Sequence, residues 1–97
     1  MFRHVVLLRF TAATTAKDVR ALSDALNALP ARIPEIRDYR AGTDLGLAEE
    51  NAHFAVVADF DDFAGYVTYR DDQEHQRVVA ELIRPHLESR AAAQYEI

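Results

Sequence analysis

Cysteine and tryptophan are absent from these 97 residues, and methionine occurs once. Without cysteine there is no disulfide, no thiolate metal site and no cysteine nucleophile. Three glycines and three prolines are scattered along the chain, so no phosphate-binding glycine loop, linker or low-complexity tract is present. No stretch approaches the ~20 apolar residues of a membrane-spanning helix. The opening Met1 to Arg9 has too short an apolar run for a signal peptide and no small-residue cleavage site, so a cytoplasmic protein is expected. Basic residues form no block, and the net charge is −5. Nucleic acid and anionic membrane surfaces are therefore not expected partners. No close-spaced histidine pair and no Ser-His-Asp spacing is seen. Neither a metal nor a cofactor is expected.

What is present is an apolar content of 49%, enough for a packed core and a single domain over residues 1–97. A chain this short buries only about 60–65% of its unfolded surface and gains from sharing a face with a partner.

Residues 2–10 read as a strand with His4, Val6, Leu8 and Phe10 on one face and Arg3, Val5, Leu7 and Arg9 on the other. Both faces are apolar at the centre, as in a strand covered on both sides. Thr14 or Thr15 caps a helix, with Asp18 completing a capping-box variant and Val19, Leu22, Leu26 and Leu29 forming the buried stripe. Pro30 and Pro34 end it. A weaker strand is expected over 35–43, a loop over 44–51, and a clear strand over 52–60. In the last, Phe54, Val56, Ala58 and Phe60 oppose His53, Ala55, Val57 and Asp59. Asp61 or Asp62 caps a short helix to about Arg70, with Phe63 and Tyr66 in the core. A second helix starts near Asp72 or Gln73, carries His75, Val78, Val79, Leu82, Ile83 and His86 on one face, and is kinked or ended by Pro85. Residues 90–97 suit a closing strand.

The order β-α-β-β-α-β, with a split second helical region, predicts an α+β ferredoxin-like domain: an antiparallel sheet with helices on one face. The apolar centres of the other face, Val5 and Leu7 with Ala55 and Val57, need a second cover. A second copy of the chain, sheet against sheet, is the simplest, giving a homodimer. Arg3 and Arg9, paired with Asp59 or Glu96, are expected to fix its register, with His53 in the dimer interior.

The candidate chemistry lies at Tyr69 and His75, six positions apart. On one continuous helix they would sit roughly 120° off a common face. They converge only if the helix breaks between them, and Asp71-Asp72 is where a new helix would be capped.

His4-Val5-Val6-Leu7-Leu8, Pro34 followed by Gly42, Phe54-Ala55-Val56-Val57 leading to Phe60, and Tyr69 with His75 together resemble the stress-responsive dimeric α/β-barrel (Dabb) family over essentially the whole chain. The resemblance implies a ferredoxin-like monomer pairing into a dimeric barrel. The family includes olivetolic acid cyclase, which closes a polyketide ring without a cofactor, using a histidine base paired with a tyrosine six residues earlier. By that likeness His75 and Tyr69 would be catalytic. His4 would match a first-strand histidine of the pocket, and Val6, Leu8, Leu22, Leu26 and Val56 would form the ligand-binding wall. Asp72 and Gln73 depart from the His-Pro usual between the tyrosine and the histidine, and the first helix lacks the cyclase's aromatics.

Three functional readings follow. The first is a binding or stress-associated module for a small apolar or aromatic ligand, with His75 structural. The second is a cofactor-independent polyketide cyclase or lyase, with His75 as general base and Tyr69 donating to a developing enolate oxygen. The third is a purely structural dimerisation module. A cavity of a few hundred Å³ beside His75 favours the first two. Closure by Leu22, Leu26, Leu82 and Ile83 favours the third.

Overall fold

The computed structural model describes residues 1–97. Four strands, β1 (Phe2–Phe10), β2 (Ile36–Thr43), β3 (Phe54–Phe60) and β4 (Leu87–Glu96), form one antiparallel sheet in the order β2-β3-β1-β4. The helices α1 (Ala16–Asn27), α2 (Phe63–Asp71) and α3 (Gln73–Val78) complete the ferredoxin-like α+β fold expected from the element order.

α1 begins where local chemistry dictates. The Asp18 amide donates to Thr15 Oγ1 at 3.2 Å, and the Thr15 amide donates to Asp18 Oδ2 at 3.0 Å, which satisfies two amides that a helix start leaves free. Its leucine stripe delivers Leu22 and Leu26 to the core, and the 3₁₀ turn Leu29–Ala31, with Pro30 in its first turn, adds Leu29. These pack with Phe54 and Phe60, and all five are essentially inaccessible to solvent.

Alternation along β1 is clean. His4, Val6, Leu8 and Phe10 are buried, whereas Val5 is half-buried and Leu7 is 43% exposed. Cross-strand partners share a face. The pairs Val5–Val57 and Leu7–Ala55 on one side, with Ala91 and Ala93 of β4 on the other, form an uncovered apolar centre on the outer face. Tyr95, 48% exposed, extends it. At its edge Arg3 Nε and Nη2 donate to Asp59 Oδ1 and Oδ2 at 2.7 and 2.8 Å.

Several boundaries differ from the sequence reading. β3 starts at Phe54, so His53 lies outside the alternation. Its Nδ1 accepts from the Phe10 amide at 2.8 Å and its ring stacks on Phe10, which ties it to the end of β1. Phe63 is 61% exposed because it occupies the first turn of α2, beyond the sheet edge of the core. Glu96 pairs with the N-terminal ammonium, not with Arg3. β4 starts at Leu87, three residues before the expected 90, directly after a 3₁₀ turn at Arg84–His86. The second helix is regular only to Val78, and a π-turn spans Val79–Ile83 before Pro85. No helix is long and apolar enough to cross a membrane.

Candidate ligand and active site

The break between α2 and α3 is built by Asp72. Its ψ of 135° leaves the helical region, so α2 cannot continue through it. Its Oδ1 then accepts from the amides of Glu74 and His75 at 3.0 and 3.2 Å and caps α3. Arg32 Nε donates to the same carboxylate at 3.0 and 3.2 Å. Burial opposes its ionisation, but Arg32 and the two amides outweigh that and hold the carboxyl below its ordinary range.

Breaking the helix frees the Arg70 carbonyl. In a continuous helix it would accept from Glu74, whose amide is already bound to Asp72. It accepts instead from His75 Nδ1 at 3.1 Å and from Gln76 Nε2 at 2.6 Å. A carbonyl can only accept, so the proton of neutral His75 sits on Nδ1 and the lone pair on Nε2. The same break lays the His75 ring against Tyr69, with centroids 4.2 Å apart. The convergence expected of the pair is thus achieved by the Asp72 cap.

Tyr69 is 2% exposed, and its hydroxyl meets that of Tyr39 at 3.0 Å. With Tyr39 as donor, Tyr69 keeps its own proton for another partner. Burial raises the Tyr69 phenol to about 12 although the Tyr39 hydrogen bond pulls the other way, so it stays a neutral donor. His4 also lies near Tyr69, with ring centroids 6.2 Å apart. Gln94 Nε2 donates to His4 Nδ1 at 2.9 Å, so the His4 proton is on Nε2. Burial, then the charge of Arg90, lowers His4 to about 4. Burial also lowers His75, against the opposing pull of the Arg70 carbonyl and Asp72. Both rings are neutral near pH 7, one presenting N–H and the other a lone pair. No buried side-chain polar atom lacks a partner. The two Nε2 atoms, which bind no protein group, therefore reach accessible space.

That space is a cavity of about 410 Å³ between sheet and helices. His4, Val6, Leu8 and Val56 contribute from the sheet, and Leu26 from α1. Tyr66, Tyr69, His75, Val79 and Ile83 contribute from the broken helical region. Arg70, Gln76, Arg84 and Arg90 supply its polar part. Of the residues expected to form the site, His4, Val6, Leu8, Leu26, Val56, Tyr69 and His75 come together here. Leu22 does not: it faces the closed core at 1% exposure. One turn along α1 from Leu26, it sits where leucine stripe and sheet interdigitate. Leu82 and Ile83 are half-buried and do not fill the cavity.

Tyr39, Gln94 and the three arginines were not singled out from the sequence. Gln94 becomes visible once β4 is registered against β1, where it faces His4. Tyr39 lies on the strand with the weakest pattern. Tyr66, read as core, stacks on Phe2 at 5.1 Å and lines the cavity with its other side.

Residues 2–97 match the model of the stress responsive A/B barrel domain. The chain belongs to this family. Among solved structures, a dimeric ferredoxin-like protein of unknown function from Thermobifida fusca YX is 42% identical, with a TM-score of 0.91 over 99% of this chain and 90% of that one. A dimeric ferredoxin-like protein of unknown function from Bacteroides fragilis is 25% identical, with a TM-score of 0.83 over 99% of this chain and 95% of that one. The hydroxynitrile lyase of Passiflora edulis shares the fold at 21% identity, with a TM-score of 0.85 over 99% of this chain and 92% of that one. No curated protein matches the sequence significantly.

Proposed function

We propose that this stress-responsive A/B barrel domain binds a small, largely apolar or aromatic molecule in the cavity beside His75. The observation that carries this reading is the open space of about 410 Å³, a size typical of small-molecule sites. A purely structural module would fill that volume with its own side chains. Val6, Leu8, Leu26, Val56 and Ile83 offer an apolar wall, while Tyr69 and His4 offer donors and His75 an acceptor. The domain pairs as a homodimer through the outer sheet face bearing Val5, Leu7, Ala55 and Val57. Dimeric relatives of the same fold support that pairing.

A second reading is favoured by one specific observation, the Arg70 carbonyl that fixes the His75 tautomer. With Nδ1–H anchored, Nε2 is an oriented base able to take a proton from a carbon activated by a carbonyl. Tyr69, a neutral donor beside it, suits the developing enolate oxygen. This is the chemistry of a cofactor-independent cyclase or lyase.

Binding is tested by screening apolar and aromatic compounds while following the His75 and Tyr69 ring resonances. The reading expects saturable shifts at both rings, which a filling substitution such as Val79→Trp abolishes. Shifts confined to exposed residues would contradict it. For the second reading, a compound turned over by the wild type must lose turnover in His75→Ala. Unchanged turnover would remove the base.

A further inference from the structure

The lining of the cavity has a charge pattern that the apolar reading does not use. No aspartate or glutamate lines it, while Arg70, Arg84 and Arg90 do. This is unexpected in a chain of net charge −5. Most arginines here are neutralised: Arg3, Arg9, Arg32, Arg37, Arg70 and Arg77 each hold a carboxylate. Arg84 and Arg90 hold none and make no side-chain hydrogen bond, although both reach the cavity.

Their placement is specific. Arg90 is the cross-strand partner of Leu8 on β4, so it stands on the inner face of the sheet, in line with the Gln94–His4 pair. Its charge helps keep His4 unprotonated. Arg84 is delivered by the π-turn. Its amide donates to the Val79 carbonyl five residues back, so Arg84 stacks over Val79, itself a cavity residue. In an ordinary α-helix the same five-residue step would rotate Arg84 about 140° away from Val79. The irregular turn, followed at once by Pro85, thus carries one guanidinium to the cavity, and the edge strand carries the other.

We propose that Arg84 and Arg90 form an anion-recognition end of the cavity, and that its ligand is a carboxylic acid: an apolar or aromatic body against Val6, Leu26 and Val79 with an ionised carboxylate between the two guanidinium groups. Guanidinium is the side chain best matched to a carboxylate, through paired N–H donors. The carboxylate end sets the orientation in which the rest of the molecule meets Tyr69 and His75. This inference rests on the cavity being the binding site.

Naphthoate and its uncharged analogue naphthamide are the probes, titrated into the full chain by calorimetry with the His75 ring followed by NMR. The acid is expected to bind at least about tenfold more tightly than the amide, and to weaken as salt rises. Arg84→Gln with Arg90→Gln is expected to remove that preference by weakening the acid far more than the amide; both side chains are exposed, so the fold is retained. Equal binding of acid and amide would overturn the carboxylate end and leave the cavity reading standing. Tighter binding of naphthyl phosphate than of naphthoate would overturn it in favour of a phosphate ligand. If neither acid nor amide shifts the His75 ring, the cavity reading itself fails, and this inference with it.

Discussion

The two helical regions meet the same sheet face in opposite ways. α1 is continuous, is capped by a reciprocal Thr15–Asp18 pair, and drives Leu22 into a dry core, with Leu26 one turn on at the cavity wall. The region from α2 to Pro85 is broken at Asp72, loosened into a π-turn at Val79–Ile83, and leaves a cavity in which tyrosine, histidine and arginine meet aliphatic side chains. Continuity gives close packing. Interruption frees backbone groups, here the Arg70 carbonyl, that can orient a side chain. The difference shows how a domain of this size accommodates a cavity: one half of its cover packs closely, and the other departs from regular helix where the cavity lies.

The largest expected contrast is between leucines and aliphatics of the two regions. Leu22→Ala should cost about 2–5 kcal/mol in chemical denaturation, because a closed site cannot relax around the lost methyl groups. Ile83→Ala, on the wall of existing space, should cost under about 1.5 kcal/mol. Equal losses would erase the distinction.

Next is the acid response of the open half. Burial holds His4 and His75 below their ordinary value, His4 at about 4. The unfolded chain binds these protons more readily, so their contribution is complete above about pH 6.5 and declines as pH falls toward the folded values. For His4 the loss by pH 4 is on the order of 2–3 kcal/mol. His4→Phe should flatten that part of the stability profile, whereas a profile unchanged by the substitution would place the histidine in a polar setting.

Smaller effects belong to the break itself. Asp72→Ala removes the cap on two amides and the Arg32 partner, and should cost about 1–2 kcal/mol. Asp72→Asn keeps the cap and should cost less. If both leave the Tyr69–His75 ring contact intact, the carboxylate does not build the site. Tyr69→Phe should cost about 1–2 kcal/mol by leaving the Tyr39 hydroxyl without its partner.

Much of this was legible in the residues. The apolar alternation of Phe2–Phe10 and Phe54–Phe60, the Thr15–Asp18 cap and the leucine stripe define the sheet and α1, because these signals are local. The break at Asp72 was also readable, since a pair six positions apart cannot share a helical face. What escaped was whatever depends on register or on irregular backbone. Gln94 meets His4 only through the β1–β4 pairing, and no local propensity marks Tyr39 as a partner of Tyr69. The π-turn that reorients Arg84 has no sequence signature beyond the nearby Pro85. The family resemblance implies Leu22 as well as Leu26 for the wall, and the two share a helical face. Which residue of a stripe meets a void is decided by the elements opposite.

The central claim is that the helix break fixes His75 as a neutral ring with its proton on Nδ1 and its lone pair open to the cavity. Long-range nitrogen–proton NMR correlations of the imidazole, followed through a pH titration, test it directly. The structure predicts the Nδ1–H pattern near pH 7 and a titration midpoint below the ordinary histidine value of 6.5. An Nε2–H tautomer, or a midpoint above that value, would contradict it.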